Sequence, residues 1–72
     1  MKFYSVDRKL NRFNDFVRGE LKRKKISQED IAYRIGIERS GVSRRLSGQI
    51  DWTIREVIIL SEVLEVPIGE MQ

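Results

Sequence analysis

Arg39, Ser40, Ser43 and Arg44 crowd one short stretch of this chain, Glu38-Arg39-Ser40-Gly41-Val42-Ser43-Arg44-Arg45-Leu46. At helical pitch they spread over the side away from Ile37, Val42 and Leu46, the apolar residues available as anchors. Such a set suits recognition better than catalysis. A guanidinium pairs bidentately with O6 and N7 of guanine in the major groove, and a serine hydroxyl can donate to bases or phosphates. Arg45, beside them, suits a phosphate better than a base edge. Gln28 heads an earlier amphipathic stretch, where an amide side chain and the positive end of a helix would together hold a phosphate. Lys24 and Lys25 close a basic run, residues 22–25, that could reach phosphates across the groove edge. For each of these side chains taken singly, an ordinary solvated surface is the alternative.

Other chemistries are poorly supplied. The 72 residues include no His and no Cys. The usual thiol, imidazole and Ser-His-Asp nucleophiles and any Cys/His zinc site are therefore absent. The acids are scattered among charged positions and suggest no metal constellation. The expectation is a protein that is not an enzyme, with no catalytic residue, cofactor, metal or small-molecule ligand. The longest uninterrupted apolar run is four residues, Val57-Ile58-Ile59-Leu60. That is too short for a signal peptide or a membrane span, so the expected setting is the cytoplasm, without a membrane partner.

Charge divides the chain. Residues 1–48 carry 13 basic and 6 acidic side chains, whereas residues 49–72 carry Arg55 against five acids. The net charge of +3 thus conceals about +7 and −4. A concentrated basic half suits a polyanion and steers its approach. Ordinary solubility explains it equally well.

The elements that would position these residues are helical. Val6, Leu10, Phe13, Val17 and Leu21 recur at spacings of four and three, one stripe of a first helix with Ser5 or Asp7 as its cap. Residues 1–4 can form a flexible arm, a short strand or a packing extension. Ser27 with Asp30 has capping-box spacing, Ile26 precedes as a hydrophobic staple, and Ile31, Ala32 and Ile35 make the inward face of a short second helix. Gly36 can end it with positive φ. A third helix carries the Arg39 to Leu46 stretch, and Gly48 stops it. Thr53 with Glu56 opens a fourth, rich in Ile, Val and Leu, and Pro67 suits the first position of a short terminal one. Residues 1–72 then form a single all-α domain of four to five helices, with one short helix bracing another across residues 27–47.

Residues 28–47 resemble the helix-turn-helix unit of the Cro/CI (lambda-repressor-like, or XRE) family. That pattern places Gln first, Ala fifth, Gly ninth and an aliphatic residue fifteenth, met here by Gln28, Ala32, Gly36 and Val42. The similarity continues through Trp52-Thr53-Ile54-Arg55-Glu56 and Leu64-Glu65-Val66-Pro67-Ile68, and covers about residues 13–70. The resemblance implies a domain that binds double-stranded operator DNA, commonly as a homodimer on a palindromic site. It places base reading on Arg39, Ser40 and Arg44, with Ser43 beside them. Phosphate contacts fall on Gln28, on Glu38 at the helix start, and on the loop around Gly48 and Gln49. Three positions depart from the pattern. Arg45 stands where an apolar residue is usual, Gly41 lowers helix propensity inside the reading element by about 1 kcal/mol, and Leu21 with Leu46 replaces an ion pair.

Trp52 and Phe13 read as core or dimer-surface aromatics, and Tyr33 as facing either phosphate or solvent. Candidate dimer surfaces are Ile59, which departs from the inward stripe, and the closing residues Val66, Ile68 and Met71. The expected function is a transcriptional regulator, a phage or prophage repressor or Cro-like protein, associated with the nucleoid of a bacterial or phage-infected cell when bound. An antitoxin or excisionase-type accessory protein shares the same surface. A helical protein-interaction module using the acidic C-terminal face is the rival without DNA.

Overall fold

The computed structural model describes residues 3–71. Four α-helices follow one another: α1 (Phe3–Lys24), α2 (Gln28–Ile35), α3 (Arg39–Leu46) and α4 (Ile54–Leu64). A single 3₁₀ turn, Ile68–Glu70, closes the chain. The described residues contain no strand. The domain is all-α, with the fifth helix reduced to that turn.

Helix α1 is already under way at Phe3, where an arm or strand was expected; Met1 and Lys2 lie outside the described residues. Positions 5 and 7 consequently lie inside the helix and not at its start. Its 22 residues span about 33 Å at 1.5 Å per residue, close to the 37 Å long dimension of the domain. The apolar stripe is buried only towards its C-terminal end. Val17 and Leu21 are enclosed, Leu10 and Phe13 are half-buried, and Val6 is 55% exposed.

The capping signals act as their chemistry requires. Ser27 Oγ accepts from the Asp30 amide at 3.0 Å while the Asp30 carboxylate accepts from the Ser27 amide at 3.3 Å. Thr53 and Glu56 form the same reciprocal pair at 3.1 and 3.0 Å. Gly36 closes α2 in the left-handed region, φ 88°, with its amide donating to the Ala32 carbonyl at 2.8 Å. The chain turns there, and the buried residues of α2 and α3 face one core. Each helix supplies two members: Val17 and Leu21, Ile31 and Ala32, Val42 and Leu46, Leu60 and Leu64. Leu21 and Leu46 both belong to this core, at 6% and 2% exposed, as an apolar replacement for an ion pair requires.

Met71 completes the core from the closing segment at 1% exposed. Its expected place on a dimer surface is therefore corrected: the 3₁₀ turn folds the side chain inward, where burial of an apolar thioether is favoured. Val66 is partly buried against the same cluster. Pro67 precedes the 3₁₀ turn instead of entering it.

Candidate nucleic-acid interface

Helix α3 is short, eight residues, and its anchors are few. Val42 and Leu46, four apart, are buried at 0% and 2%, and Ile37 in the preceding turn is half-buried. Helical spacing of about 100° per residue sends Ser40 and Arg44 to the opposite side, with Ser43 flanking them. Arg39 stands in the first turn. All four expected reading residues are exposed. Helix α2 packs across α3 more extensively than any other pair of helices packs together, and so braces it.

The expected phosphate residues divide. Gln28 is the first residue of α2, half-buried, next to the Ser27 cap and with Glu29 and Asp30 in the same turn. Lys25 is exposed and ends α1 with φ 59°. Gln49 is exposed, but its amide already donates to the Arg44 carbonyl at 2.9 Å, which leaves the side-chain amide for DNA. The Gly48 amide likewise donates to Arg45 O at 3.1 Å. With no side chain and a committed amide, Gly48 serves as the φ 86° turn that follows α3. Glu38 is the exposed N-cap of α3 and makes no side-chain cap bond. An ionised carboxylate only accepts hydrogen bonds, so the side chain offers a phosphate nothing.

Arg45 and Lys24, both expected at phosphate, are engaged within the fold, although the Lys24 side chain stays 32% exposed. The Arg45 side chain is only 14% exposed. Its Nε and Nη2 donate to Glu56 Oε1 and Oε2 at 2.9 and 3.2 Å, and Nη1 donates to the Gly41 carbonyl at 3.0 Å. Three donations in a fixed fork hold the guanidinium inside the fold. Burial pushes the Glu56 carboxyl up, but hydrogen bonds from Arg45 and from the Thr53 amide outweigh it, and the net shift is below the ordinary value. The Lys24 ammonium lies 3.1 Å from Glu20 Oε1 and donates to the Leu64 carbonyl. It thus neutralises the negative end of α4, a helix with no basic residue in its own last turn. Arg23 and Lys24 together hold the Glu20 carboxyl below the ordinary range, against the opposing effect of desolvation.

The apolar surface also differs from expectation. Ile59 is half-buried, whereas Ile54 and Ile58 on the same helix are 79% and 43% exposed, and Ile68 is 47% exposed. A groove of about 310 Å³ runs between α1 and α4, lined by Leu10, Phe13, Trp52, Val57 and Ile68 among others. Tyr33 is 85% exposed on α2, which leaves solvent or phosphate open to it.

Sequence reasoning missed the role of Asn14. It is 4% exposed on α1 and accepts a hydrogen bond from Trp52 Nε1 at 2.7 Å. Trp52 also meets Phe13 edge-on, with centroids 6.5 Å apart at 71°. A polar residue one position after a stripe member carries no periodic signal that would have found it.

A brace, a glycine turn and a second helix with its polar side outward define a helix-turn-helix module. A family model described as helix-turn-helix matches residues 17–71. The chain belongs to this family, in its XRE/Cro-CI type. No match is found among curated proteins or solved structures. Membership makes the domain a DNA-binding regulatory module. Among the described residues no group of three or more His, Cys, Asp or Glu could hold a metal ion, and no helix is long and apolar enough to cross a membrane.

Proposed function

We propose that this protein is a sequence-specific transcriptional regulator of the phage or prophage repressor or Cro-like kind, acting on operator DNA in the cytoplasm. Helix α3 enters the major groove. Arg39 and Arg44 read guanine edges there, and Ser40 and Ser43 donate to neighbouring bases or phosphates. Gln28 at the positive end of α2, Lys25 and the Gln49 side chain fix the register on the phosphates. The observation that carries this reading is the common exposure of Arg39, Ser40, Ser43 and Arg44 on a helix whose Val42 and Leu46 are buried.

Two copies bind together in this reading, because one eight-residue helix spans only a few base pairs. Pairing extends the site to two half-sites about 34 Å apart. The exposed Ile54 and Ile58 of α4, with Ile68 at the α1–α4 groove, are the surface for the second copy. Ile59 and Val66, partly buried, can contribute only their edges.

Selection from a randomised duplex pool, followed by mobility shifts, tests the function. The expected result is an enriched palindrome bound more tightly than random DNA. Failure to retard any duplex at low salt would overturn the reading in favour of a protein-interaction module.

A further inference from the structure

We propose that Arg45 is a positioning residue, clamped to Glu56 across the open side of Gly41, which sets the roll of α3 about its own axis and with it the sequence specificity. The proposal rests on the reading of α3 as the recognition helix.

The need for such a clamp follows from the anchors. Val42 and Leu46 stand one turn apart and define a line along α3, about which an eight-residue helix can still rotate. A helix this short has little rigidity of its own, and its N-cap Glu38 makes no side-chain cap bond. Arg45 projects about 60° from Val42 and about 100° from Leu46, so its attachment lies off that line. Its carboxylate partner on α4 is itself fixed. Glu56 Oε1 accepts from the Thr53 amide at 3.0 Å as well as from Arg45 Nε at 2.9 Å, and the Glu56 side chain is 10% exposed. A bidentate guanidinium–carboxylate pair has a defined plane and tolerates little rotation. Fixing Arg45 fixes the azimuth of Arg44 and Ser40 on the other side.

Gly41 is the complementary half of the device. It lies one turn before Arg45 on the same flank. A Cβ built there would stand 3.2 Å from Arg45 Nη1 and 3.3 Å from Ile37 Cδ1. A side chain there would crowd the guanidinium, which donates to the carbonyl beneath it. The two departures within α3, a glycine in its middle and an arginine at an apolar position, are thus one arrangement.

The test compares Glu56→Gln, Arg45→Met and Arg45→Lys with the parent, each confirmed folded by circular dichroism and assayed on a selected and a random duplex over a range of salt. If Arg45 sets the roll, Glu56→Gln lowers the preference for the selected duplex by about tenfold or more, the size of one misread base pair. Random-duplex affinity and the salt slope stay unchanged. Mere charge predicts the opposite sign, since losing an acid should tighten binding to both duplexes. Arg45→Lys, which keeps the charge without the fork, should lose preference as Glu56→Gln does. Should a glutamine variant fail to fold, the lysine variant carries the same comparison. Unchanged preference in folded variants overturns the proposal. So does an Arg45→Met variant that weakens both duplexes equally with a slope reduced by about 0.9, the signature of a lost phosphate contact. A parent protein that selects no duplex defeats the proposed function itself, a result distinct from either.

Discussion

The indole N–H of Trp52 is donated to Oδ1 of Asn14, 2.7 Å away and 38 positions earlier in the chain. It joins the loop after α3 to the middle of α1, in a spot where Asn14 is 4% exposed. Asn14→Ala removes the acceptor and leaves a partly buried donor unsatisfied, at a cost of about 1–3 kcal/mol. A loss of 1 kcal/mol lowers the melting temperature of a domain this size by about 4–8 °C. Thermal denaturation followed by circular dichroism measures it. An unshifted melting curve would show that water replaces the bond without loss.

Arg44→Ala and Lys25→Ala should weaken DNA binding differently. Removing a bidentate base contact costs about 1–3 kcal/mol and relaxes preference at one position of the site. Removing a phosphate contact weakens selected and random duplexes alike and lowers the salt slope by about 0.9. Titrations of both variants on both duplexes separate the two roles. Identical losses on the two duplexes would defeat the role given to Arg44.

Acid should loosen the domain through Glu56 and Glu20. Both carboxyls are held below the ordinary value of 4.5 in the folded chain. A depressed carboxylate contributes stability that is fully present above its unfolded pKa and lost as pH falls through the folded one. The melting temperature should therefore drop as pH falls below about 4.5, in the window beneath the unfolded glutamate value. Glu56→Gln should start lower at neutral pH and fall less steeply. Parallel pH profiles for parent and variant would show that the Arg45 pair adds nothing to folding.

Ile58→Glu places a charge on an exposed apolar stripe of α4 without touching the core. Sedimentation equilibrium and mobility shifts should show a weaker dimer, with the loss concentrated on paired half-sites. A variant that binds a full palindrome as tightly as the parent would move the second copy to another surface.

Glu65 ends α4 at φ 57°, a conformation costing a side-chain-bearing residue about 1–2 kcal/mol. Glu65→Gly relieves that strain but adds freedom to the unfolded chain. The net expectation is a rise of up to about 1 kcal/mol, read as a higher denaturant midpoint.

The caps and turns were legible because their signals are local. Ser27 with Asp30, Thr53 with Glu56, and Gly36 each need only neighbours within four residues, and each acts as its spacing implies. The outward set on α3 was legible for the same reason, since Val42 and Leu46 define its reverse side. The engagement of Arg45 by Glu56 and of Lys24 by the Leu64 carbonyl was not legible, because those partners lie 11 and 40 positions away. A basic residue beside a basic run looks free until the tertiary contact that engages it is known. Met71 was misplaced likewise, since nothing local says whether a terminal apolar residue folds back.

The basic run before α2 is partly spent on the domain's own architecture. Lys24 sits on the end of α4, and Arg23 is engaged by Glu20. A count of cations along the sequence therefore overstates how many counterions the protein can displace from a duplex. Its ionic-strength sensitivity should be milder than the 13 basic residues among the first 48 suggest, so a larger share of its affinity must come from fit within the groove.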